Sequence, residues 1–340
     1  VDFVQNADYP AEEVERERKR TLEGFSATMN NPGALAALVA TRVLYGDAPY
    51  GRVGNMTSMA AITREDLLDH RQTWWTPARA KLVISGGIGS DEAARLGESL
   101  FGDWTSKARA PDLADAPAGK PLKARTVVID MPSAGQAALV AGVRAIARRD
   151  EDFYPLWLVN TVLGSGSNGR LFEEIRTKRG LAYGAYSSLG QSLDDALLTA
   201  RAQTKNETAD EVAAVFFEQF AKLQQSPLDD ETLEKRRLYL AGSIGRSLET
   251  SAGGNGQVAN LLLRGIEPRE AFAIADRLAQ VSPDEALTTA QRYISAERAS
   301  LVVVGDASQF LEGLEALRGE VEVIPVGELD LRASDLRKPA

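Results

Sequence analysis

The sequence predicts an α+β protein made of two homologous domains, each an antiparallel sheet packed with helices, with the first domain incomplete. Three observations carry this. Strand-like alternation gathers at 125–131, 136–144, 182–191 and 196–204 and is followed by a run of helical patterns, the order expected when helices cover one face of a mainly antiparallel sheet. A self-similarity at constant offset spans much of the chain. Residues 105–124, with Pro111, Pro117, Gly119, Pro121 and many alanines, read as a linker between residues 1–104 and 125–340.

Taken in order, Pro10 opens a helix that continues to residue 29, with Glu12, Glu13 and Glu15 near the end where the helix dipole favours acids. Pro32 starts a second helix, and Gly46 ends it before the turn-rich Asp47-Ala48-Pro49-Tyr50-Gly51. Thr63 is placed to cap a helix over the following residues. Ala80–Ser85 reads as a strand and Asp91–Leu100 as a helix. Beyond the linker, helices are expected at 150–163 and 168–179, between the two strand pairs. Further helices follow at 207–224, 229–249, 255–264, 268–279 and 283–294, then a strand at 299–304, a helix, and a short strand at 321–325.

The repeat explains why the first domain is expected to be incomplete. Residues 62–86 and 281–305 align without a gap at an offset of 219: Leu68 on Leu287, Trp74 on Tyr293, Arg79-Ala80 on Arg298-Ala299, and Gly86 on Gly305. The same offset places Val39-Ala40 on Val258-Ala259, Leu44 on Leu263, Gly46 on Gly265 and Glu15 on Glu234. Residues 125–218 open the second copy and have no counterpart in the first, so the strand at 81–86 is expected to lack its neighbours.

Composition removes several classes of function. The chain has 340 residues, a net charge of −9 and no cysteine. A phosphate-binding surface needs clustered lysine and arginine, whereas the basic run Arg16 to Arg20 is interleaved with acids and reads as a solvated helix face. Disulfides, thiolate metal sites and cysteine nucleophiles are excluded. No apolar run has the length of a membrane span. No signal peptide is visible from Val1 onward, so a targeting segment is expected to precede it if there is one. His70 is the single histidine; it sits in Asp69-His70-Arg71-Gln72 and reads as a polar helix residue, with no second histidine to complete a zinc or serine-hydrolase set. Asp194, Asp195, Asp229, Asp230 and Glu231 stand at a turn and a helix start, where acids serve structure.

One segment is more informative, TVLGSGSNGRLFEEIRTKRGLAYGAYSSLG at 161–190. Gly164, Gly166 and Gly169 make a turn, an amphipathic helix presents Leu171, Phe172 and Ile175 on one face, Gly180 stops it, and a strand starts at Ala182. Arg176 and Tyr183 stand seven positions apart across this corner, a guanidinium and a phenol suited to grip a peptide carbonyl or carboxylate; the plain alternative is a capped helix and an edge strand with both side chains merely solvated. Leu163-Gly164-Ser165-Gly166, Arg170-Leu171-Phe172, Glu174-Ile175-Arg176 and Lys178-Arg179-Gly180-Leu181-Ala182-Tyr183 resemble the start of the second domain in the pitrilysin, insulysin and mitochondrial processing peptidase family, zinc peptidases with an inverted H-x-x-E-H motif.

That resemblance implies paired LuxS/processing-peptidase-like α+β domains, and it implies the non-catalytic half or subunit of a zinc metalloendopeptidase. Arg176 and Tyr183 would then contact bound peptide, and Gly164, Gly166 and Gly169 would leave room for its backbone. The stretch Glu15-Arg16-Glu17-Arg18 is similar to one that precedes the family's third zinc ligand, and the ligand position falls on Gly24, with Glu23 one residue away; a slip of one position would restore Glu23. No zinc is therefore expected on this chain, only on a catalytic partner or adjoining half, and the chain alone is expected to hydrolyse nothing. The resemblance also implies a peptide substrate, a possible dimer and a periplasmic setting, with a cytoplasmic one as the alternative. A catalytically silent scaffold of the same fold, and a truncated active peptidase, are the other readings.

Overall fold

The structure, a computed structural model, describes residues 1–106 and 122–339, so most of the linker expected at 105–124 lies outside the described residues. Six helices come first: α1 (Asp2–Gln5), α2 (Ala11–Met29), α3 (Pro32–Tyr45), α4 (Met56–Ala61), α5 (Arg64–Trp74) and α6 (Ser90–Phe101). Strands β1 (Thr126–Asp130) and β2 (Ala137–Arg144) follow, then α7 (Phe153–Gly164), a π-helix (Phe172–Lys178), and strands β3 (Ala182–Leu189) and β4 (Leu197–Thr204). The chain continues through α8 (Ala209–Leu223), α9 (Asp230–Leu248), α10 (Ser251–Leu263), α11 (Glu270–Gln280) and α12 (Pro283–Tyr293) to β5 (Ser300–Gly305), α13 (Leu311–Arg318) and β6 (Glu322–Pro325).

The helix starts follow from local chemistry. Asn31 accepts a hydrogen bond from the Ala34 N–H at 2.9 Å, with Pro32 as the first helical residue of α3. Thr63 and Asp66 form a reciprocal capping box on α5, and Ser282 and Glu285 form another on α12. These two boxes stand at positions related by the 219-residue offset, so the repeat extends to the detail of how its helices begin.

The described residues divide into two compact units. One holds residues 1–26, 54–106 and 243–271; the other holds 27–53, 122–242 and 272–339. Segment 27–53, expected within the first domain, thus belongs to the second unit, while 243–271, its approximate repeat equivalent, belongs to the first.

The second unit contains a six-stranded sheet of order β3-β4-β2-β5-β1-β6. β2 pairs antiparallel with β4 and β5, and β3 antiparallel with β4. β1 pairs parallel with both β5 and β6, so the sheet is mixed, with three of its five pairings antiparallel in keeping with the mainly antiparallel sheet the sequence suggests. Parallel pairing needs a long crossover, and the helices between β1 and β5 supply it. β5 is buried along its whole length and β2 along all but its last residue, whereas β4 alternates between buried and more exposed residues. Full burial of a strand requires cover on both faces. α3 lies against β2 and β5, and α8 against β2 and β4. Leu35, Val39 and Val43 of α3 are buried in this packing, as are Phe216 and Phe220 of α8. The C-terminal end of α3 is pinned by polar contacts: Tyr45 donates to the Asp195 carbonyl at 3.3 Å, Arg144 donates to the Asp195 carboxylate at 2.7 Å, and Arg42 donates to the Arg332 carbonyl at 3.0 Å.

The first unit differs in kind. Residues 80–85 form no strand, contrary to the sequence reading, and Leu82 is 53% exposed. The equivalent β5 sits between β1 and β2, and a strand without such neighbours has no partners for its backbone groups. Among the described residues of this unit only Thr76, Leu261 and Ala271 are buried, while Phe3, Met56, Ile62, Leu96 and Leu100 are exposed. An open groove of ≈ 730 Å³ runs past Phe3, Tyr9, Val14, Met59, Ile62 and Trp75.

Three outcomes are expected. Leu35→Ala, which empties a fully buried position of α3, should cost about 2–5 kcal/mol, read from the urea midpoint at unchanged slope. Hydrogen exchange should be slow in β2, β4 and β5 and fast throughout residues 54–106, where little apolar surface is buried. Arg125 donates two 2.7 Å hydrogen bonds to Glu322, joining β1 to the edge strand β6, and these bonds hold the Glu322 carboxyl below its ordinary value. A depressed carboxyl stabilises the fold above its unfolded value and ceases to as pH falls through its folded one, so acid should lower the urea midpoint of the wild type more than that of Glu322→Gln.

Candidate functional site

The corner at 161–190 is assembled from α7, a tight turn, the π-helix and β3. α7 ends at Gly164; Gly166 adopts φ +77°, and the Gly169 N–H returns to the Gly166 carbonyl at 3.2 Å. Leu171 and Ile175 are fully buried and anchor the helix, while Phe172 is half-buried and lies against the ring of Tyr186 at 5.9 Å. Gly180, at φ +66°, stops the helix as expected: its N–H bonds the Arg176 carbonyl and the Leu181 N–H bonds that of Ile175. The π geometry, with wider turns than an α-helix, leaves no mark in the hydrophobic pattern, so the sequence reads it as an ordinary helix.

β3 is an edge strand of the sheet, and its register with β4 shifts between Ala182 and Ala185. Such a bulge re-aims side chains, and here it holds Tyr183, which is 87% exposed. Ala182 and Ala185 on either side are buried, so the exposed phenol rides on fixed backbone. The Arg176 guanidinium lies 5.6 Å from the centre of the Tyr183 ring, which brings the two candidate residues together in a cation–π contact. Nearby charges neutralise one another: Lys178 reaches Glu173 at 3.0 Å and Glu174 at 2.7 Å, and Arg179 reaches Glu174 at 2.7 Å. The hydrogen bond from Lys178 leads in holding the Glu174 carboxyl below its ordinary value. Arg176 makes no hydrogen bond or ion pair among the described residues. The corner thus presents a guanidinium and a phenolic hydroxyl toward solvent, both able to donate to a carbonyl or carboxylate oxygen.

The glycines are placed differently. A Cβ on Gly164 would stand 2.4 Å from the Ser187 N, and one on Gly169 would stand 2.5 Å from the Gly164 Cα. Both are buried where the turn folds onto itself and onto β3, so their missing side chains make room for this chain's own backbone. Gly166 is more open, with the Tyr239 hydroxyl 3.4 Å from its Cβ position.

The donor set does not fit zinc. Gly24 on α2 has open space where a side chain would stand, and the neighbouring Glu23 lies 3.9 Å from Lys19. His70 is exposed on α5, its ring 6.1 Å from that of Trp74. Among the described residues no three His, Cys, Asp or Glu side chains are grouped to hold a metal ion, and no helix is long and apolar enough to cross a membrane. The sequence reading did not single out Phe172 and Tyr186 as partners, or Arg236 and Tyr239 beside the turn; these meet only through tertiary packing.

Comparison with known proteins bears on this corner directly. The family described as the Peptidase M16 inactive domain matches residues 61–240, just over half of the chain. An uncharacterized zinc protease of Mycobacterium leprae is 29% identical over 253 residues, covering 74% of this chain and 57% of that protein. One of Streptomyces coelicolor is 26% identical over 316 residues, covering 89% and 67%. The chain therefore spans little more than half the length of the first of these relatives. Among solved structures, a peptidase M16 inactive domain from Pseudomonas fluorescens superposes with a TM-score of 0.80 at 22% identity, over 89% of this chain and 72% of that one. A protease from Helicobacter pylori superposes at 0.77 and 18% identity, over 87% and 72%, and the periplasmic protease PqqL of Escherichia coli at 0.68 and 17%, over 86% of this chain but 33% of that one. With the family model matched over residues 61–240, across the corner and just over half of the chain, the chain belongs to the peptidase M16 inactive-domain family of zinc-protease homologues.

Proposed function

We propose that this chain is the substrate-handling, non-catalytic part of an M16-type zinc metalloendopeptidase, and that Arg176 and Tyr183 meet the bound peptide. The observation that carries the reading is the pair itself: two polar groups on buried scaffolding, in contact with each other and otherwise free to donate. A surface arginine that served only solubility would not need the fixed π-helix and bulge beneath it. Water activation would fall to a catalytic partner or adjoining half, because no zinc ligand set occurs among the described residues. Arg176 and Tyr183 would bind the oxygen that gains charge as the scissile carbonyl is attacked.

The domain arrangement fits this division of labour. By the repeat, residues 1–104 would supply the second half of a first α+β domain and 125–340 the second domain, with 27–53 and 243–271 exchanged between the two compact units. The poorly buried first unit would take its missing strands, and its cover, from the catalytic part.

The test uses the complete enzyme, this chain with its catalytic part. Arg176→Ala and Tyr183→Phe should each lower kcat/KM by on the order of 100-fold, as loss of one oxyanion donor does elsewhere, while thermal unfolding stays within about 0.5 kcal/mol of wild type because both side chains are exposed. Unchanged hydrolysis by both variants would remove the pair from the mechanism.

A further inference from the structure

The turn at 165–168 carries a feature that the Arg176–Tyr183 pair leaves unexplained. Two further arginines stand beside it on different elements, near enough for the charge of Arg170 to act on Arg236. Arg170 follows the turn directly, and Arg236 reaches it from α9, donating to the Asn168 carbonyl. Both are half-buried. Arg170 makes no hydrogen bond or ion pair among the described residues, and the carbonyl of Asn168 is the only described partner of Arg236. Asp229, Glu173 and Glu174 are near enough to act on Arg170 electrostatically, yet each is engaged elsewhere: Asp229 caps α9 through Thr232, and the two glutamates pair with Lys178. Burial lowers the affinity of both guanidiniums for their protons, and for Arg236 the charge of Arg170 adds to the effect.

Two cations with no counter-ion in contact, withdrawn from water on one turn, destabilise a fold unless an anion joins them. Other donors point the same way. The Tyr239 hydroxyl stands over Gly166, whose positive φ opens the turn, and the N–H groups of Gly166, Ser167 and Asn168 make no hydrogen bond among the described residues. Exposed backbone N–H groups on a tight turn form a concave anion site.

We infer that Arg170, Arg236 and Tyr239 form, with the turn at 165–168, an anion subsite that takes a carboxylate of the bound peptide, an acidic side chain or the C-terminus. The inference rests on the peptide-binding reading above for its ligand, but the anion site itself is separable from it. It predicts a preference for acidic peptides, set by residues other than the Arg176–Tyr183 pair.

Two measurements on the full chain test it. In the first, calorimetry compares two flexible peptides that differ only in glutamate replaced by glutamine. The acidic peptide should bind about tenfold more tightly, the worth of one charge-assisted hydrogen-bonded contact. Arg170→Gln and Arg236→Gln should abolish that difference and leave the glutamine peptide unaffected, whereas Arg176→Ala should weaken both peptides alike. In the second, glutarate is titrated at constant ionic strength while the arginine Nε–H resonances are followed, Arg170 and Arg236 being assigned from the two variants. Both signals should shift and saturate, with chloride producing no such change. If glutarate perturbs them but neither peptide binds, the subsite stands and the peptide-binding reading falls. If glutarate leaves both signals unmoved, or the acidic preference survives in both variants, the subsite is overturned. A purely structural arginine would lower the melting temperature when replaced; here each replacement should leave it level or raise it, since it removes an uncompensated charge.

Discussion

Burial of β2 and β5 on both faces is the constraint from which the remaining architecture follows. A strand covered on one side could tolerate polar residues on the other; these two cannot, and they are nearly continuous runs of alanine, valine, leucine and glycine. α3 supplies one cover with Leu35, Val39 and Val43, and the polar contacts of Tyr45, Arg42 and Arg144 fix where it lies. With β2 held, β4 is set by its register against it, and β3 by its register against β4. The exposed corner of Arg176 and Tyr183 is therefore the outer end of a chain of pairings that begins in the most buried part of the sheet.

Much of this was legible in the sequence, for identifiable reasons. Helices announced themselves through Pro32, Thr63 and Gly46, residues whose local chemistry starts or stops a helix whatever surrounds it. Strands β1 to β4 were visible in their composition. What escaped was non-local. The parallel neighbours of β1 depend on where a long crossover returns, and the failure of residues 80–85 to form a strand depends on partners, since Lys81 to Gly86 read as well for a strand as Leu301 to Gly305 do. At the site, spacing alone could not join Arg176 to Tyr183; family resemblance did, and the bulge at 182–185 and the π-helix explain how seven positions are spanned. Gly164 and Gly169 mislead for the opposite reason: glycine marks close approach, but the sequence does not say of what, and here it is the chain's own backbone.

Charge around the corner is distributed unevenly. The acids at 173 and 174 are satisfied by Lys178 and Arg179, and the acid at 229 by the first turn of α9. Arg170, Arg176 and Arg236 are left as local positive charge on a chain whose net charge is −9. Such local reversal of sign concentrates field where ligand would arrive, and a site of this kind is stabilised by what it binds rather than by its own partners.

The assignment of 27–53 to one unit and 243–271 to the other has a topological consequence. Under the 219-residue offset these are nearly equivalent stretches, so each copy of the repeat lends the same piece to its sibling. A single scission between residues 106 and 122 would then release no autonomous fragment, because the sheet would lose the helix that shields β2 and β5, and the other product would be left without 243–271. The portion before residue 106, which leaves the ribosome first, would have to wait for 243–271 before its unit could finish folding.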